Sequence, residues 1–222
     1  GNGCADGSGI DIIDLQVNVN VPNVLALPEL TSVITLAGNG HTIHRTGGPA
    51  FSILRVAAAG DLTVDQVTIS GGSASLGGGI NNSGTLTVIN STITGNSAGS
   101  GGGIFNNFSG TMTVQGSTIS GNSAPGGSGG GIFAGGTLTV QDSTISTNSA
   151  ANGGGILSQG TLTVHNSTLS GNSATNWGGA ISGYMSAVKV EASTISGNWA
   201  TERGGGIQCE CALTVQDSYL SG

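Results

Sequence analysis

The sequence predicts an all-β chain that folds as one parallel β-helix with three short strands per coil. A motif recurs every 24–26 residues along the chain, from GGGINNSGTLTVINSTITGNSA at 77–98 to GGGIQCECALTVQDSYLSG at 204–222. Within each motif, apolar and hydroxyl residues alternate as they do in half-buried strands, and no helical period is present. A unit of this length buries its apolar face only against its neighbours, so the repeats are expected to stack as coils.

The first two strands of a coil are the TLTV-like and STIS-like runs. In Thr85–Val88 the alternation places Leu86 and Val88 inward and the two threonines outward. The last valine of the first run and the apolar residue of the second are five residues apart in every repeat. The corner between these strands therefore has a constant length, and insertions belong to the other corners.

The third strand is centred on the isoleucine of each GGGI run. Glycines before it allow a tight bend and close packing of neighbouring coils. One asparagine recurs at another corner, and stacking at ~4.8 Å per coil predicts a ladder of hydrogen-bonded amides. The expected ladder contains Asn96, Asn122, Asn148, Asn172 and Asn198.

The repeats predict one continuous elongated domain. Residues 1–60 are expected to form irregular N-terminal coils or a cap, and residues 61–222 the regular repeats, with an uncapped C-terminal end. The 43 glycines occupy fixed corners, which favours order over low complexity. The sequence contains no apolar run of about 18 residues, so no membrane-spanning helix is expected. A formal net charge of −7, with four scattered Lys and Arg residues, argues against nucleic-acid binding.

The pattern GGGI…GTLTV…NSTISGNSA, preceded by GNGHTI and FSILRVAAAGDLTVDQVTISGG, resembles right-handed parallel β-helix repeat proteins of bacterial cell surfaces. These include the repeats of polymorphic outer-membrane and autotransporter-type adhesins. The resemblance covers residues 30 to 222, roughly, and implies a right-handed β-helix that is secreted or surface-displayed. It also implies an adhesive or structural role. Low lysine content and hydroxyl-rich faces agree with an extracellular location.

Many parallel β-helices are polysaccharide lyases or hydrolases, which need clustered carboxylates, often with Ca²⁺ or a cationic side chain. Here Asp142 stands alone in its column between Gly116 and Asn166, and His165 has only Glu191 beside it. We therefore expect a non-enzymatic protein with no catalytic residues, no metal and no cofactor. A carbohydrate-binding or polysaccharide-degrading β-helix is kept as an alternative.

Outward threonines form a two-column array over four consecutive coils. A regular Thr-x-Thr array on a β-solenoid resembles the ice-binding face of some antifreeze proteins, so ice binding is a second alternative. The array breaks at Ala187 and Lys189. Threonine is also common at solvent-exposed strand positions in proteins that do not bind ice. The candidate ice-binding residues are Thr85, Thr87, Thr111, Thr113, Thr137, Thr139, Thr161 and Thr163.

Aromatic residues provide the candidate interaction surface. Phe105 and Phe133 follow equivalent inward isoleucines and are expected to stack outward on adjacent coils. Trp177 and Trp199 occupy corresponding corner loops, with Tyr184 not far away. Exposed aromatic rings can bind sugars or contact another protein, so a glycan or a cell-surface receptor is the expected partner. The alternative is that these rings cover local gaps between loops.

Three cysteines leave at least one thiol without an intramolecular partner. Cys4 lies roughly 30 Å along the solenoid from Cys209 and Cys211, well beyond the ~5.5 Å Cα separation of a disulfide. Cys4 could instead bond to either residue in the next protomer of a head-to-tail filament. The alternatives are a Cys209–Cys211 bridge with Cys4 free, or three reduced thiols. The sequence thus favours an extracellular structural or adhesive β-helix, with filament assembly as one form of that role.

Overall fold

The structure is a computed structural model that describes residues 11–22 and 27–221. All the regular elements in these two ranges are β-strands, and the strands of successive coils pair in parallel into sheets of 14, 9 and 6 strands. Within this part of the chain no helix is long and apolar enough to cross a membrane. The predicted all-β parallel β-helix is confirmed, and its strands form three sheets.

Two faces of the solenoid carry the TLTV-like and STIS-like strands, and we call them the TLTV face and the TIS face. The strands of the TLTV face are Asp11–Asp14, Val33–Ala37, Asp61–Asp65, Thr85–Ile89, Thr111–Gln115, Thr137–Gln141 and Thr161–His165. The strands of the TIS face are Val19–Val21, Thr42–Arg45, Thr68–Ser70, Thr92–Thr94, Thr118–Ser120, Thr144–Ser146, Thr168–Ser170, Thr194–Ser196 and Tyr219–Ser221.

Two further ladders complete each regular coil, and we call them the serine–alanine face and the isoleucine face. The serine–alanine strands are Ser73–Leu76, Ser97–Ser100, Ser123–Ser128, Ser149–Asn152, Ser173–Trp177 and Trp199–Ala200. The isoleucine strands are Leu54–Val56, Ile80–Asn82, Ile104–Asn106, Ile132–Ala134 and Ile156–Ser158. The long strands Ile181–Glu191 and Ile207–Gln216 belong to both the isoleucine face and the TLTV face, and join them into one sheet.

The core is a set of columns in which like side chains stack on like. Leu86 pairs in register with Leu62 and Met112, and all three are almost completely buried. Ile80 and Ile93 fill the other inward positions of the same coil and have no exposed surface. Each such buried aliphatic side chain contributes about 1.5–3 kcal/mol of transfer free energy. The alternation read from the sequence therefore correctly identifies the inward positions of the TLTV, TIS and isoleucine strands.

A single residue in the left-handed conformation turns the chain from the TLTV face to the TIS face. Positive φ is cheap for glycine and tolerable for asparagine and aspartate, and the position is mostly filled accordingly. Only two residues separate the strands, as Asn90 and Ser91 do between Thr85–Ile89 and Thr92–Thr94, which accounts for the constant five-residue offset in the sequence. The corner residues are Gln66, Asn90, Gly116, Asp142, Asn166, Ala192 and Asp217.

The next corner, after the TIS face, is left-handed as well, and one coil has an unfavourable residue there. Five coils use Gly71, Gly95, Gly121, Gly171 and Gly197, whereas the sixth uses Thr147, which is exposed and has φ of 54°. Left-handed backbone costs about 1–2 kcal/mol for an L-residue, and β-branched side chains suit it least.

We expect Thr147→Gly to stabilise the protein by about 1 kcal/mol, because relief of the backbone strain exceeds the added entropy of the unfolded chain. Thermal unfolding followed by circular dichroism should show an increase in Tm of roughly 2–4 °C. The matched control is Thr94→Gly, the same exchange within an extended strand, which should lower Tm. A lower Tm for Thr147→Gly as well would contradict the strain argument.

Candidate functional site

The five corner asparagines form a continuous buried chain of hydrogen bonds. Asn122 Nδ2 donates to Asn148 Oδ1 at 3.0 Å, and the backbone N–H of Asn122 donates to the same oxygen at 2.9 Å. Asn148 Nδ2 in turn donates to the Ile119 carbonyl at 2.9 Å. This geometry satisfies the amides inside the corner and gives them a structural role. The pattern repeats through Asn96, Asn122, Asn148, Asn172 and Asn198.

A second buried ladder, made of serines, was not foreseen from the sequence. The backbone N–H of Ser117 donates to Ser143 Oγ at 3.1 Å, and Ser143 Oγ donates to the Gln141 carbonyl at 2.6 Å. The available signal was the serine that precedes each Thr-Ile or equivalent pair in the repeats. The ladder consists of Ser91, Ser117, Ser143, Ser167, Ser193 and Ser218.

The threonine columns of the TLTV face are in register. Thr85 pairs with Thr111 and Thr111 with Thr137, while the second column continues from Thr87 through Thr113, Thr139 and Thr163. The first column is exposed and the second half-buried. Thr161 is followed by Ala187 and Thr163 by Lys189 in the next coil. Ice binding by this array stays a prediction, which a thermal-hysteresis measurement would test.

Phe105 and Phe133 stack as their spacing suggested, with ring centroids 4.6 Å apart and an interplanar angle of 13°. They are nevertheless buried, at 8% and 9% exposure, in a small cluster with Leu157. Phe108 contacts the edge of Phe133 at a centroid distance of 6.4 Å and is itself 65% exposed. The expectation that Phe105 and Phe133 belong to an exposed interaction surface is therefore corrected: they form a local hydrophobic cluster outside the main core.

The other three predicted aromatics are exposed: Trp177 by 38%, Tyr184 by 47% and Trp199 by 58%. Trp177 Nε1 donates to Glu202 Oε2 at 2.7 Å, which fixes the indole of Trp177. Trp177 and Tyr184 line the same groove, whereas Trp199 is not among its lining residues. The structure thus brings two of the five predicted aromatics together at one site.

That groove, of about 240 Å³, runs across neighbouring coils between the serine–alanine face and the isoleucine face. One wall is a column in which Asn152 pairs with Trp177. The opposite wall carries Tyr184 in register with Glu210. Between them, Ser182 Oγ donates to Gln208 Oε1 at 3.1 Å. The complete lining is Ser128, Asn152, Leu157, Gln159, Trp177, Ser182, Tyr184, Gln208 and Glu210. We call this site the lateral groove.

The lateral groove has an acidic character. Glu210 is exposed and is its only lining residue with a charge at neutral pH, and Glu202 lies beside it through its bond to Trp177. Arg203, which pairs with Trp177 in the next coil, is exposed and does not line the groove. Ion pairs in the described residues involve other glutamates, at Arg55–Glu29 and Lys189–Glu191.

The charged residues considered for catalysis lie on the TLTV face and the corner beside it. His165 and Glu191 are register partners, and Lys189 Nζ lies 2.8 Å from Glu191 Oε1. Asn166 donates to Asp142 Oδ1 at 2.6 Å, and this bond, helped by one from Gln141, lowers the pKa of Asp142. Across residues 11–22 and 27–221 no group of three or more His, Cys, Asp and Glu side chains is placed to hold a metal ion.

Cys209 and Cys211 are joined to each other by a disulfide, with Cα atoms 5.0 Å apart. This is the intramolecular alternative left open by the sequence, and a bridged pair offers no thiol to a second protomer. Cys4 lies outside the described residues. Head-to-tail assembly stays a prediction, since it does not require a covalent link.

The comparison with protein families agrees with the architecture. Residues 32–211 match the family model described as the right-handed β-helix region. Searches of curated proteins and of solved structures returned no match to the chain. Because the family model spans most of the sequence, and the strands stack as parallel coils over the same range, the chain belongs to the right-handed β-helix family.

Proposed function

We propose that this protein is a non-enzymatic, extracellular adhesive β-helix that binds a glycan in the lateral groove. The observation that carries the proposal is the presence of two exposed aromatic rings, Trp177 and Tyr184, in a groove otherwise lined largely by amide and hydroxyl side chains. The resemblance to cell-surface repeat proteins supports the adhesive and extracellular parts of the proposal.

The chemistry of the lining suits a sugar. An aromatic face packs against the C–H surface of a pyranose ring, and buries apolar area without requiring a deep cavity. Amide groups from Asn152, Gln159 and Gln208 supply both donors and acceptors for ring hydroxyls. A convergent set of a few polar groups on a mostly preformed surface is the usual composition of a small-molecule site.

The β-helix keeps this site in shape before a ligand arrives. The lining residues lie on or next to strands that are hydrogen-bonded to neighbouring coils, and Trp177 is held by Glu202. Preorganised side chains lose little entropy on binding, which favours affinity. Because the groove is short, firm adhesion would come from many copies displayed on one surface, through multivalency.

We expect Trp177→Ala and Tyr184→Ala each to weaken glycan binding by about tenfold, since each removes an aromatic contact. A glycan array would identify the ligand, and isothermal titration would measure Kd for the variants. The matched control is Trp199→Ala, which removes an exposed tryptophan outside the groove and should leave Kd unchanged. Equal losses in all three variants, or no glycan bound by the wild-type protein, would contradict the proposal.

A further inference from the structure

The charge of the lateral groove points to a narrower class of ligand. We propose that the groove selects glycans with free amino groups, such as oligomers of glucosamine, and that Glu210 receives the ammonium group. This inference rests on the proposed glycan-binding function. It adds a specificity-determining residue and a ligand class that the aromatic rings alone do not define.

The first argument is the sign of the charge around the groove. Glu210 lines the groove, and Glu202 accepts a hydrogen bond from Trp177 on its wall. Arg203 is the bridge partner of Trp177, and no Lys, Arg or His is among the lining residues. The whole chain carries a formal net charge of −7, which adds to the negative potential. An anionic polysaccharide would meet uncompensated carboxylates, whereas a cationic sugar would be attracted.

The second argument is the arrangement of Glu210 and Tyr184. These residues are register partners on adjacent coils, so a carboxylate and an aromatic side chain stand side by side on one wall. A carboxylate accepts a charge-assisted hydrogen bond from an ammonium group, and an aromatic face attracts a cation placed above it. Glu210 forms no ion pair with the described residues and is exposed, so its carboxylate is available to a ligand.

The third argument is the hydrogen-bonding capacity of the opposite wall. Asn152 makes no side-chain hydrogen bond with the described part of the protein, and its Oδ1 is a buried oxygen without a donor. A buried oxygen without a donor is stabilised when a ligand donates a hydrogen bond to it. Rotation of the Asn152 amide toward the groove would present this oxygen to the ligand. An ammonium group supplies three donors and no acceptor, which suits this unsatisfied oxygen.

The test compares two ligands that differ in charge at the amino position. Isothermal titration at mildly acidic pH would measure Kd for a glucosamine hexamer and for the matching N-acetylglucosamine hexamer. We expect the wild-type protein to bind the glucosamine hexamer about fivefold more tightly, because an exposed charge pair contributes modestly. High salt, at which the Debye length falls to ~3 Å, should reduce that ratio toward one.

Variants then assign the selectivity to a residue. Glu210→Gln should bring the ratio of the two Kd values close to one, since glutamine keeps the shape of the side chain without its charge. Asp217→Asn removes an equal charge at a remote corner and should leave the fivefold ratio in place. If Asp217→Asn reduced the ratio as much as Glu210→Gln, general attraction would explain the preference and the assignment to Glu210 would be wrong.

The outcomes separate the two proposals. Equal Kd values for both hexamers in the wild-type protein would overturn the amino-sugar inference and leave glycan binding intact. Binding of neither hexamer, together with binding of another glycan on the array, would also overturn the inference alone. If the wild-type protein bound no glycan of any kind, both proposals would fail together.

Discussion

Asn148→Ala is expected to destabilise the protein by about 3–5 kcal/mol, because it leaves several buried polar groups without partners. The backbone N–H and Nδ2 of Asn122 both lose their bonds to Asn148 Oδ1. The carbonyl of Ile119 loses its bond from Asn148 Nδ2. Each unsatisfied buried group costs about 1–3 kcal/mol, and alanine is too small to fill the space of the amide.

Thermal unfolding should show the loss as a decrease in Tm of roughly 10 °C. The matched control is Asn176→Ala, which removes an asparagine that makes no side-chain hydrogen bond within the described residues and is only half-buried; it should change Tm by about 1–2 °C at most. Hydrogen exchange offers a second readout, since protection should fall most in the coils that flank residue 148. If both variants lowered Tm equally, the ladder would contribute no more than an ordinary surface amide.

The sequence predicts the fold well because the relevant information is local and repeated. The alternation in Thr85–Val88 defines an inward and an outward face without any knowledge of distant contacts. Stacking then places each residue against its equivalent one coil away, as when Ile93 pairs with Ile69 and Ile119. Once one coil is interpreted correctly, the register of the others follows from the repeat length.

The serine–alanine face was missed for a physical reason. Its strands are built mostly from Ser, Ala, Gly and Asn, which have low β propensity, and they lack an inward–outward alternation of large side chains. They are extended because the coils on either side hold them by backbone bonds, such as Ser123 N–H to the Asn96 carbonyl at 2.9 Å. The strand Ser123–Ser128 even shifts register against both neighbours.

The candidate site was less predictable than the fold because it lies where the repeat changes. The outward column of the isoleucine face runs from Phe105 and Phe133 to Leu157, Ser182 and Gln208. Its first three members are buried together, and Leu157, Ser182 and Gln208 line the lateral groove. Sequence alone identified Trp177 and Tyr184 as exposed aromatics. It did not indicate that Glu210 would line the same groove, since that depends on the register that makes Glu210 the partner of Tyr184 on the adjacent coil.

Gly130→Ala is expected to destabilise the protein by about 3 kcal/mol, because close stacking of the coils leaves no room for a side chain. A Cβ atom at this position would overlap the carbonyl oxygens of Ser149 and Gly154. The Gly154 oxygen is held in place, since Gly131 N–H donates to it at 3.1 Å and links the two coils. The same column is glycine in every regular coil, at Gly78, Gly102, Gly130, Gly154, Gly179 and Gly205.

The control for this prediction is Gly206→Ala, one position further along the GGGI run. There the nearest atom to a new Cβ is Ile195 Cγ2 at 3.4 Å, an ordinary contact, and the equivalent position one coil earlier is already Ala180. Gly206→Ala should therefore leave Tm unchanged or raise it slightly, because alanine lowers the entropy of the unfolded chain. A Tm decrease for Gly130→Ala that does not exceed that of Gly206→Ala would mean that the coils can separate at little cost. In that case the glycine column would reflect the bend before the isoleucine strand rather than the distance between coils.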